Sequence, residues 1–207
     1  MQSIAEAPPK TWFYQFARRL LVILSAVLCP CKLVNPEGFQ LDAPYILIAN
    51  HQSMLDPVLL AVKLKKYEIR FIGKRELTKH KILNWIFKRL HMIAVTRHMS
   101  DMTAMRAAGA ALKQGHVLGI FPEGTRRNGK AMESMESGVS LLALRSGVPL
   151  LPVYICGRPG LFRKTRMFVG PVIPYEDLLA NGMDKGSGAA LNNRIQETYE
   201  IMQNKCK

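Results

Sequence analysis

Between residues 45 and 170 short apolar runs alternate with longer stretches in which apolar positions recur at helical spacing. The runs Tyr45 to Ala49, Ile69 to Ile72, Met92 to Val95, Val117 to Phe121, Leu150 to Cys156 and Arg166 to Val169 predict strands. Helices are predicted from Pro57 to Leu64, from Ser100 to Gln114 with Gly115 as its stop, and from Gly138 to Arg145 with Ser137 as cap and Gly147 beyond. Lys79 to Leu90 is basic and aromatic, containing Trp85, Ile86 and Phe87, and is amphipathic. Lys32 to Ala43 reads as a connector with a turn at Asn35-Pro36-Glu37-Gly38, and the end of the chain from Tyr175 reads as one or two helices broken by Gly182, Gly186 and Gly188.

Strands alternating with helices predict an α/β fold: a single domain with a largely parallel or mixed central sheet, covered by helices on both faces. The start of the chain differs. Met1 to Lys10 is polar and should fray. Thr11 caps a predicted helix from Trp12 to Leu28, stopped by Pro30. Its mainly apolar part, Leu20 to Cys29, is ten residues, short of the roughly 20 that span a bilayer. Aromatics at one end, Arg18 and Arg19 in the middle and an aliphatic run after them predict an amphipathic helix lying in a membrane interface. The alternatives are a helix packed on the protein's own core and a short membrane-spanning segment.

In this arrangement the polar residues that could do chemistry fall repeatedly just after strands: His51 and Asp56, Lys74, Arg97, and Glu123 to Arg126. Strand ends on one rim are where open α/β sheets bind ligands. His51 and Asp56 lie five residues apart, where a carboxylate can fix one imidazole nitrogen and leave the other to take a proton. Gly124, in Pro122-Glu123-Gly124-Thr125-Arg126, lets backbone approach a ligand, Thr125 adds a donor, and Arg126 offers a planar fork for phosphate oxygens. Lys74 and Arg97 are further candidate phosphate contacts.

Charge narrows the partner. The net charge is +14, and residues 61 to 97 hold eleven Lys/Arg against Glu68 and Glu76. Such a surface attracts polyanions: anionic lipid, a phosphorylated substrate, an acidic protein or nucleic acid. Four cysteines, Cys29, Cys31, Cys156 and Cys206, are too few and scattered for a disulfide framework, so reduced thiols and a cytosolic setting are expected. Cys29-Pro30-Cys31 lacks metal-ligand spacing, and no metal is expected. The sequence contains no Walker A loop, no Gly-x-Gly-x-x-Gly and no Gly-x-Ser-x-Gly elbow, which leaves nucleotide binding and α/β-hydrolase chemistry without a motif.

Asn50-His51-Gln52-Ser53-Met54-Leu55-Asp56 and Phe121-Pro122-Glu123-Gly124-Thr125-Arg126 together resemble the PlsC-type glycerolipid acyltransferases, the 1-acyl-sn-glycerol-3-phosphate acyltransferases. Ile93-Ala94-Val95-Thr96-Arg97 is similar to the family's middle block, and Val148-Pro149-Leu150-Leu151-Pro152-Val153 to its proline-containing strand. The likeness runs from about Tyr45 to Pro174. It departs at the middle block, where His91 and Thr96 replace the usual Gly and Asp, and after the second loop, where Met135-Glu136-Ser137 stands in place of a common lysine.

The resemblance implies a general base, His51, held by Asp56, that deprotonates an acceptor hydroxyl for direct attack on an acyl thioester, with no acyl-enzyme and no cofactor. The donor would be acyl-CoA or acyl-carrier protein. Lys74, Arg97, Gly124, Thr125 and Arg126 would bind substrate, and Glu123 would orient the loop. The implied acceptor is 1-acyl-sn-glycerol 3-phosphate, giving phosphatidic acid in phospholipid biosynthesis. Residues 1–35 would be a membrane-associating helix and connector, and 36–207 the acyltransferase domain. The expected location is the cytoplasmic face of a membrane, monotopic or peripheral, on a lipid surface of anionic character, with no nucleic-acid partner. Glycerol 3-phosphate, another lysophospholipid or a lyso-aminolipid remains open as acceptor. A non-catalytic basic module that binds membrane or nucleic acid is the reading from a different class.

Overall fold

Aliphatic strands too apolar to face water need cover on both sides, and the burial of β2 and β5 is complete along their length. The structure, a computed structural model, describes residues 7–74, 81–95, 102–124, 132, 135, 138–180 and 185–206. Among these, the strands are β1 (Cys31–Val34), β2 (Ile46–Ala49), β3 (Ile69–Lys74), β4 (Ile93–Val95), β5 (Val117–Ile120), β6 (Leu150–Cys156) and β7 (Thr165–Val169). The helices are α1 (Trp12–Leu28), α2 (Asp56–Lys63), α3 (Lys81–Arg89), α4 (Met102–Lys113), α5 (Gly138–Ser146), α6 (Glu176–Ala180) and α7 (Lys185–Asn204).

The strands form one sheet in the order β1-β7-β6-β2-β5-β3-β4. Its pairs are parallel except β6 with β7. Successive side chains on a strand point to opposite faces. Ile46 and Ile48 therefore pack with Leu112 of α4, Leu142 of α5 and Ile195 of α7. Leu47, between them, packs with Leu59 and Leu60 of α2.

One feature of the strand order positions the site. From β2 the chain crosses α2 to β3, on one side of β2. From β5 it crosses α5 to β6, on the other side. Neighbouring strands whose onward connections part in this way leave a crevice at their carboxyl ends. The loops that fill that crevice are residues 50–55 and 121–124.

The fold corrects three sequence expectations. Lys32 to Val34, read as connector, belongs to β1, which pairs with β7 at Cys31↔Thr165 through Val34↔Phe168. Four residues with no alternation carry no strand signal of their own, and the partner is far along the chain. The turn after it is a short 3₁₀ segment, Pro36–Gln40, entered through Asn35 at φ +55°. Gly186 and Gly188 do not break the last helix but lie in its first turn. Their cost, about 1 kcal/mol each relative to Ala, is outweighed by the buried stripe Leu191, Ile195, Tyr199 and Met202. Finally, Cys156 and Cys206 form a disulfide, with Cα atoms 5.8 Å apart, where reduced thiols were expected. The antiparallel end of the sheet and the end of α7 bring together residues 50 positions apart, a proximity that spacing alone does not carry. Cys29 and Cys31 are free. The proposed caps Ser100 and Ser137 lie outside the described residues.

Candidate active site

Leu55 precedes the first turn of α2, and Pro57 occupies the second helical position, where its missing N–H costs nothing. Asp56 therefore starts the helix with its side chain turned back over residues 51–53. Its Oδ2 accepts hydrogen bonds from the backbone N–H groups of Gln52 and Ser53, both at 2.7 Å, and lies 2.8 Å from His51 Nδ1. Asp56 is fully buried, and the His51 side chain keeps 17% of its exposure. An oxygen that already takes two N–H donors meets the ring as an acceptor, so Nδ1 carries the proton. Nε2 is then the nitrogen with a lone pair.

The ring is also held by its face. His51 stacks on Phe121, with centroids 4.3 Å apart, and Phe121 in turn stacks on Phe71 at 6.1 Å. Gly119 makes this stack possible. A Cβ there would sit 2.6 Å from two Phe71 ring atoms, closer than carbon atoms approach. The backbone of His51 is fixed from the neighbouring strand. Its N–H donates to Glu123 Oε2 at 3.0 Å, while Glu123 Oε1 accepts from the Met132 N–H at 2.9 Å. Glu123 is buried, and its carboxylate ties the backbone of His51 to that of Met132. Gly124 closes a turn by donating its N–H to the Phe121 carbonyl at 3.1 Å, at φ +63°, where a side chain would be strained.

Asn50 repeats this backbone role on the other side. Its Nδ2 donates to the Ile155 carbonyl at 3.1 Å, and its Oδ1 accepts from the Ile155 N–H at 2.7 Å. The β2–β6 ladder has ended one residue earlier, at Ala49↔Val153, so the amide extends the pairing past the strand end.

His51 and Gly124 line a cavity of about 670 Å³ that runs from the rim between α1, α2, β3 and α3. Its walls are mainly apolar and include Leu21, Val58, Phe71, Ile72, Phe87 and Met92. Three cations lie on its lining, Arg18 of α1, Lys74 at the end of β3 and Arg158 just beyond β6. Of the residues singled out in the sequence, His51, Asp56, Lys74, Glu123 and Gly124 meet in this one region, while Arg97, Thr125 and Arg126 lie outside the described residues. Arg158 was missed, although it follows Gly157 at the end of a predicted strand, and the rule that picked Lys74 applies to it equally. Phe71 and Phe121 were missed because each reads as an ordinary core aromatic. Among the described residues, no cluster of three His, Cys, Asp or Glu could hold a metal ion.

The family model described as Acyltransferase matches residues 31–156. The chain is 25% identical over 197 residues to the 1-acyl-sn-glycerol-3-phosphate acyltransferase of Bacillus subtilis, covering 93% of this chain and 98% of that protein. It is 30% identical over 162 residues to the probable 1-acyl-sn-glycerol-3-phosphate acyltransferase of Mycoplasma pneumoniae, covering 74% of this chain and 59% of that one. The crystal structure of the 1-acyl-sn-glycerophosphate acyltransferase PlsC from Thermotoga maritima superposes with a TM-score of 0.66 at 25% identity, over 92% of this chain and 78% of that one.

Proposed function

From the premise that this chain belongs to the Acyltransferase family, we propose that it transfers a fatty acyl group from an acyl thioester to the sn-2 hydroxyl of 1-acyl-sn-glycerol 3-phosphate. His51 Nε2 takes the hydroxyl proton as the oxygen attacks the thioester carbonyl. The tetrahedral intermediate collapses with cleavage of the C–S bond. The proton passes from His51 to the leaving sulfur, so the products are phosphatidic acid and the free thiol of CoA or acyl-carrier protein. Asp56 keeps Nδ1 protonated and stabilises the imidazolium that forms in between. General-base catalysis of this kind is worth roughly 10²–10⁴ in rate.

The observation that carries this reading is the His51–Asp56 pair opening into a cavity whose walls are mainly apolar and that carries cations at three points of its lining. An acyl chain suits the walls. A phosphate or the anionic donor suits Lys74 and Arg158, and placing the hydroxyl beside Nε2 supplies a further share of the rate. The names of the Bacillus subtilis and Mycoplasma pneumoniae relatives support the acceptor. Action at a membrane surface is supported by α1, whose exposed side carries Trp12, Phe16, Leu20, Ile23 and Val27. No helix of the described residues is long and apolar enough to cross a membrane.

Thiol release from acyl-CoA in the presence of the lysophospholipid tests the assignment. His51→Ala should lower turnover by about 10²-fold or more with an unchanged melting profile. Near-normal turnover by the folded variant would sink it. A panel containing glycerol 3-phosphate and lyso-aminolipids then fixes the acceptor.

A further inference from the structure

Between β6 and β7 the chain turns at Gly160-Leu161-Phe162-Arg163, closed by the Arg163 N–H donating to the Gly160 carbonyl at 3.2 Å. The two central residues of a tight turn are ordinarily polar or glycine. Here they are leucine and phenylalanine, 66% and 74% exposed. Phe162 also sits at φ +61°, in the left-handed region that is unusual for a bulky side chain. Local strain of this kind, with a large apolar side chain held in water, needs a reason outside the turn.

Two observations name the partner. Arg163 and Lys164 directly follow the apolar pair, and both are exposed. The turn is also fastened to α1: the Phe162 N–H donates to the carbonyl of Leu28, the last residue of that helix. The exposed apolar stripe of α1 runs from Trp12 to Val27 and so ends where the turn is attached. At its other end Trp85 of α3 packs edge-on against Phe13, at 5.3 Å, and Trp85 and Ile82 are exposed. Three segments distant in sequence thus place large apolar side chains along one helix, with cations among them. A small apolar tip backed by positive charge matches a bilayer surface rich in anionic phospholipid.

Resting on the reading of this protein as one that acts at a membrane, we propose that the Leu161–Phe162 turn is a wedge that inserts into an anionic phospholipid surface and, with α1, sets the protein's attitude on it. Phe162 is not part of the cavity lining, so the wedge serves docking and not chemistry.

The test is co-sedimentation of the full chain with phosphatidylcholine vesicles, with and without phosphatidylglycerol. Phe162→Gly relieves the left-handed backbone, so its melting temperature should be equal or higher. Its partition onto phosphatidylglycerol vesicles should fall about tenfold, while turnover on detergent-dispersed substrate stays at the wild-type level. Phe162→Asn, which also tolerates that conformation, should behave alike. The double variant Arg163→Glu, Lys164→Glu should lose most of the preference for phosphatidylglycerol, each cation near such a surface being worth roughly fivefold. Wild-type partition in both Phe162 variants would overturn the wedge and leave peripheral association standing. Failure of the wild-type protein to bind phosphatidylglycerol vesicles would overturn both.

Discussion

Asp56 gathers two backbone amides and an imidazole on a single oxygen. The contacts explain why a carboxylate at the first residue of α2 can orient a histidine five positions earlier: the turn of residues 51–53 wraps round it. In Asp56→Asn an amide oxygen can still accept all three donors, so the loop should keep its shape. What is lost is the charge opposite the imidazolium. Turnover should therefore drop by about 10²–10⁴ with little change in KM. A steady-state comparison with wild type checks this, and an effect confined to KM would show that Asp56 acts in binding. Gly119 and Glu123 belong to the same scale. One is small so that the Phe71–Phe121–His51 stack can close, and the other is anionic so that it can hold two N–H groups.

Among the elements, α1 inverts the usual amphipathic arrangement. A surface helix normally turns its apolar side to the core. Here Tyr14 and Ser25 are buried and Arg18 faces inward, while Trp12, Phe16, Leu20, Ile23, Leu24 and Val27 face out. Arg18 caps α2, donating from Nε to the Ala61 carbonyl at 3.2 Å and from Nη2 to that of Val62 at 2.9 Å. The start of α1 is tied to the end of the loop before β3, where Glu68 Oε2 accepts from both the N–H and the hydroxyl of Thr11. Arg18→Met should leave two carbonyls of the last turn of α2 without their donor and destabilise by about 1–3 kcal/mol. A denaturant titration reads this directly. Arg18 also lines the cavity, so acyl transfer should weaken too.

At the scale of the whole molecule, the sheet separates two polar regions. The carboxyl ends of β2, β5 and β6 carry the candidate active site, and the opposite ends, at the start of β3 and just before β4 and β5, carry Glu68, Arg70, His91 and His116. Glu68 is buried and pairs with His91 at 3.1 Å. His116 is pushed down from 6.5 to about 4, first by burial and then by the Arg70 charge, with His91 adding to the effect and Glu68 opposing it. The unfolded chain binds this proton at the ordinary value and the folded chain only near the lower one. Between those two pH values unfolding takes up a proton, so acid favours it. Stability should thus fall as pH drops through 6.5 toward 4, and His116→Gln should flatten that slope. Urea midpoints measured across the window decide it, and an unchanged slope would assign the acid sensitivity to other groups. The far end of the chain is tied to the same sheet by Tyr199, whose hydroxyl reaches the carbonyls of Ile48 and Val153.

Local chemistry was legible where it acts over a few residues. The apolar runs place most strands, Thr11 and Pro30 bound α1, and the spacing from His51 to Asp56 carries their pairing, because one turn of chain brings them together. The resemblance in the motif blocks likewise needs only their order. What the sequence could not carry depends on contacts between distant segments. The pairing of β1 with β7, the Cys156–Cys206 bond, the ring stack on His51, the place of Arg158 and the attachment of the Leu161–Phe162 turn to Leu28 all join parts of the chain that no period relates. Hydrophobic pattern selects elements because burial acts on each side chain by itself. Which elements meet, and so what surrounds His51 and which apolar side chains are left exposed, is decided by packing, which acts on pairs.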